Sequence, residues 1–383
     1  MKRAWGLIAL LAATATASYL CRVNVSVAGA LMMRELGLSQ AEMGKVFSAF
    51  LLGYALCQIP AGMLADRFGP RRVLMLSVLA AVLTTISITI AGTLLLALLF
   101  VRFLLGVAES PTFPAAAQAI ARWLPANQRG RSNGIVIAAI GLGSAIAPPL
   151  VSAVMVRAGW RWSLLVSAVP ALLAGIGWLV VRVPDDGPKA GGVRGAIPMS
   201  RGFALLALSY TLQGYVGYIF VFWFYLYLVD VRHFDLLRGA VLSSMPWLLS
   251  ILSIPLGGWL FDRLGTARRS VPIMGLAGAG LMTALGAHTK DAYVAAACLA
   301  LATALVLSVE GPFWATMTEF AGPHSGAAGG AMNMGSNVGG LISPALTPVI
   351  AASLGWESAL LVSAGLAMIG AILWIWINPP ATA

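Results

Sequence analysis

Charge is what this chain has least of. Only 10% of its 383 residues are Asp, Glu, Lys or Arg, against about 25% in a soluble globular domain. Cysteine and histidine each occur three times. Cys21, Cys57 and Cys298 all sit in apolar stretches with no C-x-x-C pair, which excludes a disulfide framework and a cysteine metal site. His233, His288 and His324 fall at expected helix ends or loops, so a membrane-embedded enzyme lacks its base or metal ligands. No G-x-x-x-x-G-K-[ST] run is present, which excludes a nucleotide-driven pump of the P-loop type. The reading is therefore not an enzyme, with no metal and no cofactor.

What the chain does have is apolar residues, 60% of the total, with a mean hydropathy of +0.89. A water-soluble chain of this length has no way to hide so much apolar surface. At about 20 residues per crossing, the length accommodates roughly a dozen membrane helices and no large soluble domain. Long apolar runs mark twelve spans, near 4–33, 41–64, 73–91, 94–121, 133–156, 162–181, 203–229, 239–260, 271–288, 292–318, 328–352 and 359–377. Ser39 with Glu42 three residues on predicts a capping box opening the second span. Pro111, Pro114, Pro148 and Pro149 predict kinks in the fourth and fifth. The Lys2-Arg3 start and the small residues Ala15-Thr16-Ala17 imitate a cleavable leader, but the apolar run continues past any cleavage point and is too long for one.

The formal charge of +11 points to nucleic acid in a soluble protein; here it is an orientation signal. With the N-terminus inside, about fifteen basic residues fall in cytoplasmic segments and about six outside, so both termini are expected in the cytoplasm. The partners expected are the lipid bilayer and a small solute, with no nucleic acid.

An internal repeat organises the rest. Asp66-Arg67-Phe68-Gly69 returns 196 residues later as Asp262-Arg263-Leu264-Gly265. At the same offset Gly62 matches Gly258, Gly143 matches Gly339, Pro148 matches Pro344, Gly159-Trp160 matches Gly355-Trp356, and Leu164–Ala168 matches Leu360–Ala364. One offset held over five helices means a duplicated six-helix unit with parallel halves. The expected organisation is an N-terminal bundle over 1–182, a polar Gly/Pro-rich cytoplasmic linker over 183–202, and a C-terminal bundle over 203–383. Such duplication favours a secondary transporter with its site near the bilayer midplane.

The segment from Gly62 to Arg72, GMLADRFGPRR, resembles the signature loop of the major facilitator superfamily, with a degenerate copy around Asp262 and Arg263. The resemblance implies the all-α, twelve-helix fold of two pseudo-symmetric bundles. It also implies a gating role for Gly62, Asp66, Arg67, Gly69, Arg71, Arg131, Asp262 and Arg263. Tyr19-Leu20-Cys21-Arg22-Val23-Asn24, Ser48 through Pro60, Arg102 through Pro114, Trp223 through Leu228, and Gly311-Pro312-Phe313-Trp314 are similar to the anion:cation symporter family. That family includes bacterial sugar-acid transporters and the animal vesicular glutamate and sialic-acid transporters. Membership implies a monomer in the bacterial inner membrane that carries a small organic anion with protons.

Ionisable groups inside a membrane are costly and by default mark the pathway. Four stand out: Arg22, Arg102, Glu109 and Glu310. Arg102 and Glu109, seven residues apart, share a helix face about 10 Å apart along the axis. Arg22 suits an anion because a guanidinium pairs bidentately with a carboxylate. Glu109 is expected to couple protons, its protonation responding to hydration and anion occupancy, and Glu310 is the second acid assigned that role. The resemblance implies substrate contacts from Tyr19, Tyr54 and Trp314, and from Asn333 or Asn337; Arg102 and Tyr215, opposite Tyr19 by the repeat, complete the expected set.

Three departures from the family matter. Cys21 stands where the sugar-acid symporters have an acid, the stretch Ile135–Gly141 lacks the Gln that binds sugar acids in some members, and Tyr225 replaces a Pro. The reading that follows is proton symport of a carboxylate or sugar acid. The alternatives are an uncoupled facilitator or exchanger, a drug/proton antiporter of the same fold, and, from another class, a transporter-like sensor.

Overall fold

A computed structural model describes residues 2–91, 94–124, 126–181, 183, 200–321 and 325–378, with the side chains of 2–4, 59, 66, 126, 127, 130, 131 and 325–327 outside the description. The linker expected over 183–202 therefore lies, from 184 to 199, outside the described residues. Among the described residues every regular element is helical. The helices are α1 (Lys2–Leu36), α2 (Gln40–Phe68), α3 (Pro70–Ala91), α4 (Leu95–Glu109), α5 (Thr112–Trp123), α6 (Ala126–Val180), α7 (Arg201–Leu226), α8 (Leu236–Arg263), α9 (Ser270–His288), α10 (Ala292–Ser308), α11 (Glu310–Ala321) and α12 (Ser325–Leu373). A π turn, Tyr227–Val231, extends α7.

These boundaries differ from the apolar runs in two ways. The runs near 94–121 and 292–318 are each two helices, α4 with α5 and α10 with α11. The first breaks at Ser110-Pro111, where proline's missing N–H interrupts the ladder; the second breaks at Val309. Conversely, α6 and α12 each join two expected spans. Fifty-five residues would make a straight helix of about 80 Å, far more than a bilayer's ~30 Å core. Each is turned inside, by Gly159 (φ 81°, ψ 170°) and by Gly355 (φ 84°, ψ 160°), backbone conformations essentially restricted to glycine. Nine helical stretches are long and apolar enough to cross a membrane among the described residues, two of them these double-length ones. With those counted as pairs and α2 added, the helices are consistent with twelve crossings.

The repeat is written in the backbone. Gly159 and Gly355 are 196 residues apart, as are Gly69 (φ 83°) and Gly265 (φ 50°). Gly143 lets α6 approach the backbone of α1 at Thr16, and Gly339 lets α12 approach α7 at Thr211. A Cβ at either position would fall within 3.0 Å of a carbonyl oxygen. The capping box is present: Ser39 Oγ accepts from Glu42 N–H at 3.2 Å, and Glu42 Oε2 accepts from Ser39 N–H at 2.8 Å.

By packing the chain divides into two compact units, Met1–Gly191 with Phe234–Ser244, and Gly192–His233 with Met245–Ala383. In the first unit α1 to α6 surround an apolar core that includes Leu11, Ala65, Leu74, Ala119 and Trp178. The first turns of α8 belong to it, since Leu236 C=O accepts from Ser152 Oγ at 2.8 Å and Ser244 Oγ donates to Ala145 C=O at 2.7 Å. The second unit packs Leu206, Phe261, Leu276, Phe313 and Trp374. Large apolar side chains such as Leu96 (80% exposed) and Ile90 (76%) line the outer helix faces, as a lipid-facing surface requires.

Candidate functional site

Each unit holds one buried polar cluster. In the first, α1 presents Tyr19 and Arg22, three residues apart and therefore on one helix face. The α2 helix presents Phe50 and Tyr54 one turn apart. Gly106 on α4 has no side chain to obstruct the backbone of Phe50 and Tyr54, so α2 and α4 come into close contact there. That approach brings Arg102 and Glu109, both on α4, to Arg22.

Arg22 is the hub. Its Nε lies 3.4 Å from Glu109 Oε2, the two side chains being 2% and 1% exposed. Its Nη1 donates to Tyr19 Oη at 3.2 Å. The guanidinium carbon sits over the rings of Tyr19, Tyr54 and Phe50 at 4.4, 4.5 and 4.9 Å. Such a cage holds a cation by ring quadrupoles without neutralising it. Arg102 lies over Phe50 as well, its carbon 5.0 Å from the ring centroid and its Nη2 3.5 Å from the Arg22 carbonyl. Its Nε and Nη1, and Glu109 Oε1, are buried with no hydrogen-bond partner among the described residues. Arg22 thus spans the axial gap between Arg102 and Glu109. Among the described residues, two guanidiniums share this cluster with one carboxylate, and the Arg102 donors left over are of the kind that can pair with an anion.

Cys21, next to Arg22, points elsewhere. It packs with Ala17, Val78, Val82, Ala171 and Ala174 of α1, α3 and α6, and its Sγ lies 4.0 Å from Ser167 C=O.

In the second unit the cluster is built on Glu310, the first residue of α11. Tyr210 Oη donates to its Oε2 at 2.8 Å, and Gln213 Nε2 donates to its Oε1 at 2.9 Å. Gln213 also reaches Val306 C=O at 3.3 Å. Trp314 is 39% exposed and meets the Tyr210 ring edge-on at 6.4 Å. Tyr215 and Asn337 are buried and Asn333 half-buried on α7 and α12, and no hydrogen bond joins Tyr215 or Asn333 to Glu310. Tyr210 is a member the sequence reading missed, although its i, i+3 spacing from Gln213 was available.

The residues expected to gate are spread along helix ends. Gly62 C=O accepts from Gln118 Nε2 at 3.3 Å, and Gly69 closes α2 through its N–H to Ala65 C=O at 3.0 Å. Arg71 donates from Nε to Trp178 C=O at 3.1 Å and from Nη2 to Leu179 C=O at 2.9 Å, capping the last carbonyls of α6. Arg67 is exposed over the Phe68 ring; Asp262 is exposed, and Arg263 is exposed over Trp259. The side chains of Asp66 and Arg131 lie outside the described residues. The strongest ion pair at this level was not anticipated: Arg268 grips Glu319 bidentately, both bonds 2.6 Å. The repeat was the available signal, since Arg268 stands 196 residues after Arg72.

Comparison with known proteins follows the same lines. Residues 10–335 match the family profile described as Major Facilitator Superfamily. A probable sulfoacetate transporter of Cupriavidus necator is 32% identical, over 95% of this chain and 91% of its own. A probable galactarate/D-glucarate transporter of Escherichia coli is 28% identical over 97% and 92%, and a D-galactonate transporter of Escherichia coli 26% over 94% and 92%. The fold is similar to that of a bacterial homolog of the human lysosomal transporter Spinster, in an inward-facing, unoccupied conformation. That match has a TM-score of 0.84 at 17% identity and covers 98% of this chain and 96% of the other.

Proposed function

Because the chain belongs to the major facilitator superfamily, a family of membrane transporters and not of enzymes, we propose that it moves a small organic anion across the membrane by alternating access, in symport with protons. The observation that carries this reading is the surplus guanidinium of the first unit. Arg22 and Arg102 are both buried, and among the described residues of this cluster Glu109 is the acid that faces them. A buried uncompensated charge is expensive and draws a counter-ion. An anionic headgroup meets that need, while a cationic drug does not, so the antiporter alternative loses its physical basis. Relatives described as a probable sulfoacetate transporter, a probable galactarate/D-glucarate transporter and a D-galactonate transporter support the class. The absence of a Gln in the stretch Ile135–Gly141 and the 32% identity to the sulfoacetate carrier favour a compact carboxylate or sulfonate over a polyhydroxylated acid.

Coupling is assigned to Glu109. Bound to Arg22, its carboxylate competes with the substrate for the same guanidinium. A proton on Glu109 releases Arg22 to the anion, so substrate and proton load together. The protein sits in a bacterial cell membrane as a monomer with both termini in the cytoplasm. Uncoupled facilitation is the second reading, favoured by Cys21, whose burial against α3 and α6 leaves α1 without an acid at this level.

The test is counterflow of labelled sulfoacetate in proteoliposomes, with galactonate and glucarate as competitors. Exchange above empty liposomes, lost in Arg22→Ala, supports the reading. No exchange of any of the three acids overturns it, and exchange unchanged in Arg22→Ala removes Arg22 from the site.

A further inference from the structure

Glu310 is the one feature that the anion site does not absorb. The helices packed against α11 are α7, α9, α10 and α12, and α8 meets it where Gly258 approaches Gly311; the charged residues of α8, Arg238, Asp262 and Arg263, are all exposed. Over their described lengths α9, α10 and α12 contain no Asp, Lys or Arg. Their His288 and Glu357 are paired with each other at 2.7 Å, both exposed, and Tyr293 and Cys298 are the other titratable groups they carry. On α7, Tyr210 faces Glu310 directly, Tyr215, Tyr218 and Tyr225 lie further along, and Arg201 is exposed at its start. On α11 itself Glu319 is held by Arg268. No cation therefore partners Glu310 among the described residues. Its nearest partners are both donors, a phenol and a carboxamide, and both are buried, at 4% and 3% exposure, with the Trp314 indole beside them as a further donor, while Glu310 keeps one partly open side.

From this geometry we infer that Glu310, Tyr210 and Gln213 form a second proton site, built into the C-terminal unit and separate from Glu109. The two donors also fix which oxygen takes the proton. A carboxamide nitrogen donates and never accepts, so Gln213 stays bonded to an unprotonated Oε1. A phenol does both. When a proton arrives, Oε2 becomes the hydroxyl and donates to Tyr210 Oη, whose own O–H rotates away. One proton is bound, one O–H bond forms on Oε2, and the hydrogen bond between Oε2 and Oη reverses direction while the Gln213 bond is unchanged. Tyr210 is a positioning residue here, for it orients the acid and supplies the reversible partner.

This inference needs no substrate, so it stands or falls independently of the anion reading. The experiment is pH-difference infrared spectroscopy of the purified full-length protein in lipid, following the carbonyl band of a protonated carboxylic acid. The expected result is that Glu310→Gln removes one such band, Glu109→Gln removes a different one, and Tyr210→Phe leaves the Glu310 band in place at a shifted frequency because its hydrogen-bond acceptor is gone. Gln213→Leu, which removes the donor to Oε1 without adding a titratable group, should shift the same band and spare that of Glu109. A difference spectrum unchanged by Glu310→Gln, or a Glu310 band indifferent to both Tyr210→Phe and Gln213→Leu, overturns the proposal.

Discussion

Glu109 is paired with Arg22 and is the acid nearest both buried guanidiniums among the described residues, so its removal should be more damaging than that of either arginine. At 3.4 Å and an effective dielectric of about 20, the attraction between Arg22 and Glu109 is about 5 kcal/mol. Breaking a buried pair by deleting one partner costs about 3–5 kcal/mol, chiefly because the survivor is left uncompensated. Glu109→Gln strands both Arg22 and Arg102, and should fall in that range. Arg22→Met leaves one guanidinium against one carboxylate, so the count of charges still balances and the loss should be smaller. An anion at one hundred times its Kd for Glu109→Gln should restore about 2.7 kcal/mol to that variant, more than the same concentration adds to the parent. The assay is equilibrium unfolding in detergent with and without sulfoacetate. If Glu109→Gln stays within about 1 kcal/mol of the parent, or if Arg22→Met is the more damaging change, the charge accounting that underlies the site is wrong.

Other consequences are simpler to check. Gly106→Ala drives a methyl into the Phe50 carbonyl and should destabilise by about 1–3 kcal/mol or more. Gly258→Ala, with no atom within 4 Å of its new methyl, serves as the control in the same thermal melts. Gly159→Ala and Gly355→Ala should each cost about 1–3 kcal/mol, because φ of 81° and 84° with extended ψ is closed to alanine; equal stability of either variant would show that the turn is not required. Glu319→Gln breaks a pair that is 21–34% exposed and should cost no more than about 1 kcal/mol, diminishing with added salt.

The parts of the fold legible in the sequence were those set by local chemistry or by repetition. The 196-residue offset survives as matched glycine turns at Gly159 and Gly355, because only glycine occupies that backbone conformation. The Ser39–Glu42 box formed because both partners lie within one turn. Helix breaks were legible only where proline marks them: Pro111 signalled the division of the fourth span, whereas an apolar run is equally apolar whether its axis bends, so the division at Val309 stayed hidden inside a single span. Site residues divided in the same way. Arg102 and Glu109 were placed on one face by helical spacing, and Tyr19 by the family resemblance. That Arg22 bridges Arg102 and Glu109 needed α1 and α4 together, 80 residues or more apart. The partners of Glu310 are long-range pairings that no period in the chain encodes, and for the Arg268–Glu319 fork the repeat marked Arg268 but not its partner 51 residues on.

The central claim joins anion and proton in one step, and accumulation measures both. Proteoliposomes with an alkaline interior and labelled sulfoacetate outside should concentrate it above the external level, and an ionophore that collapses the pH gradient should abolish this. Glu109→Gln should still exchange label but no longer accumulate it. Uptake that stops at equilibration with the gradient intact, or accumulation undiminished in Glu109→Gln, would contradict the account.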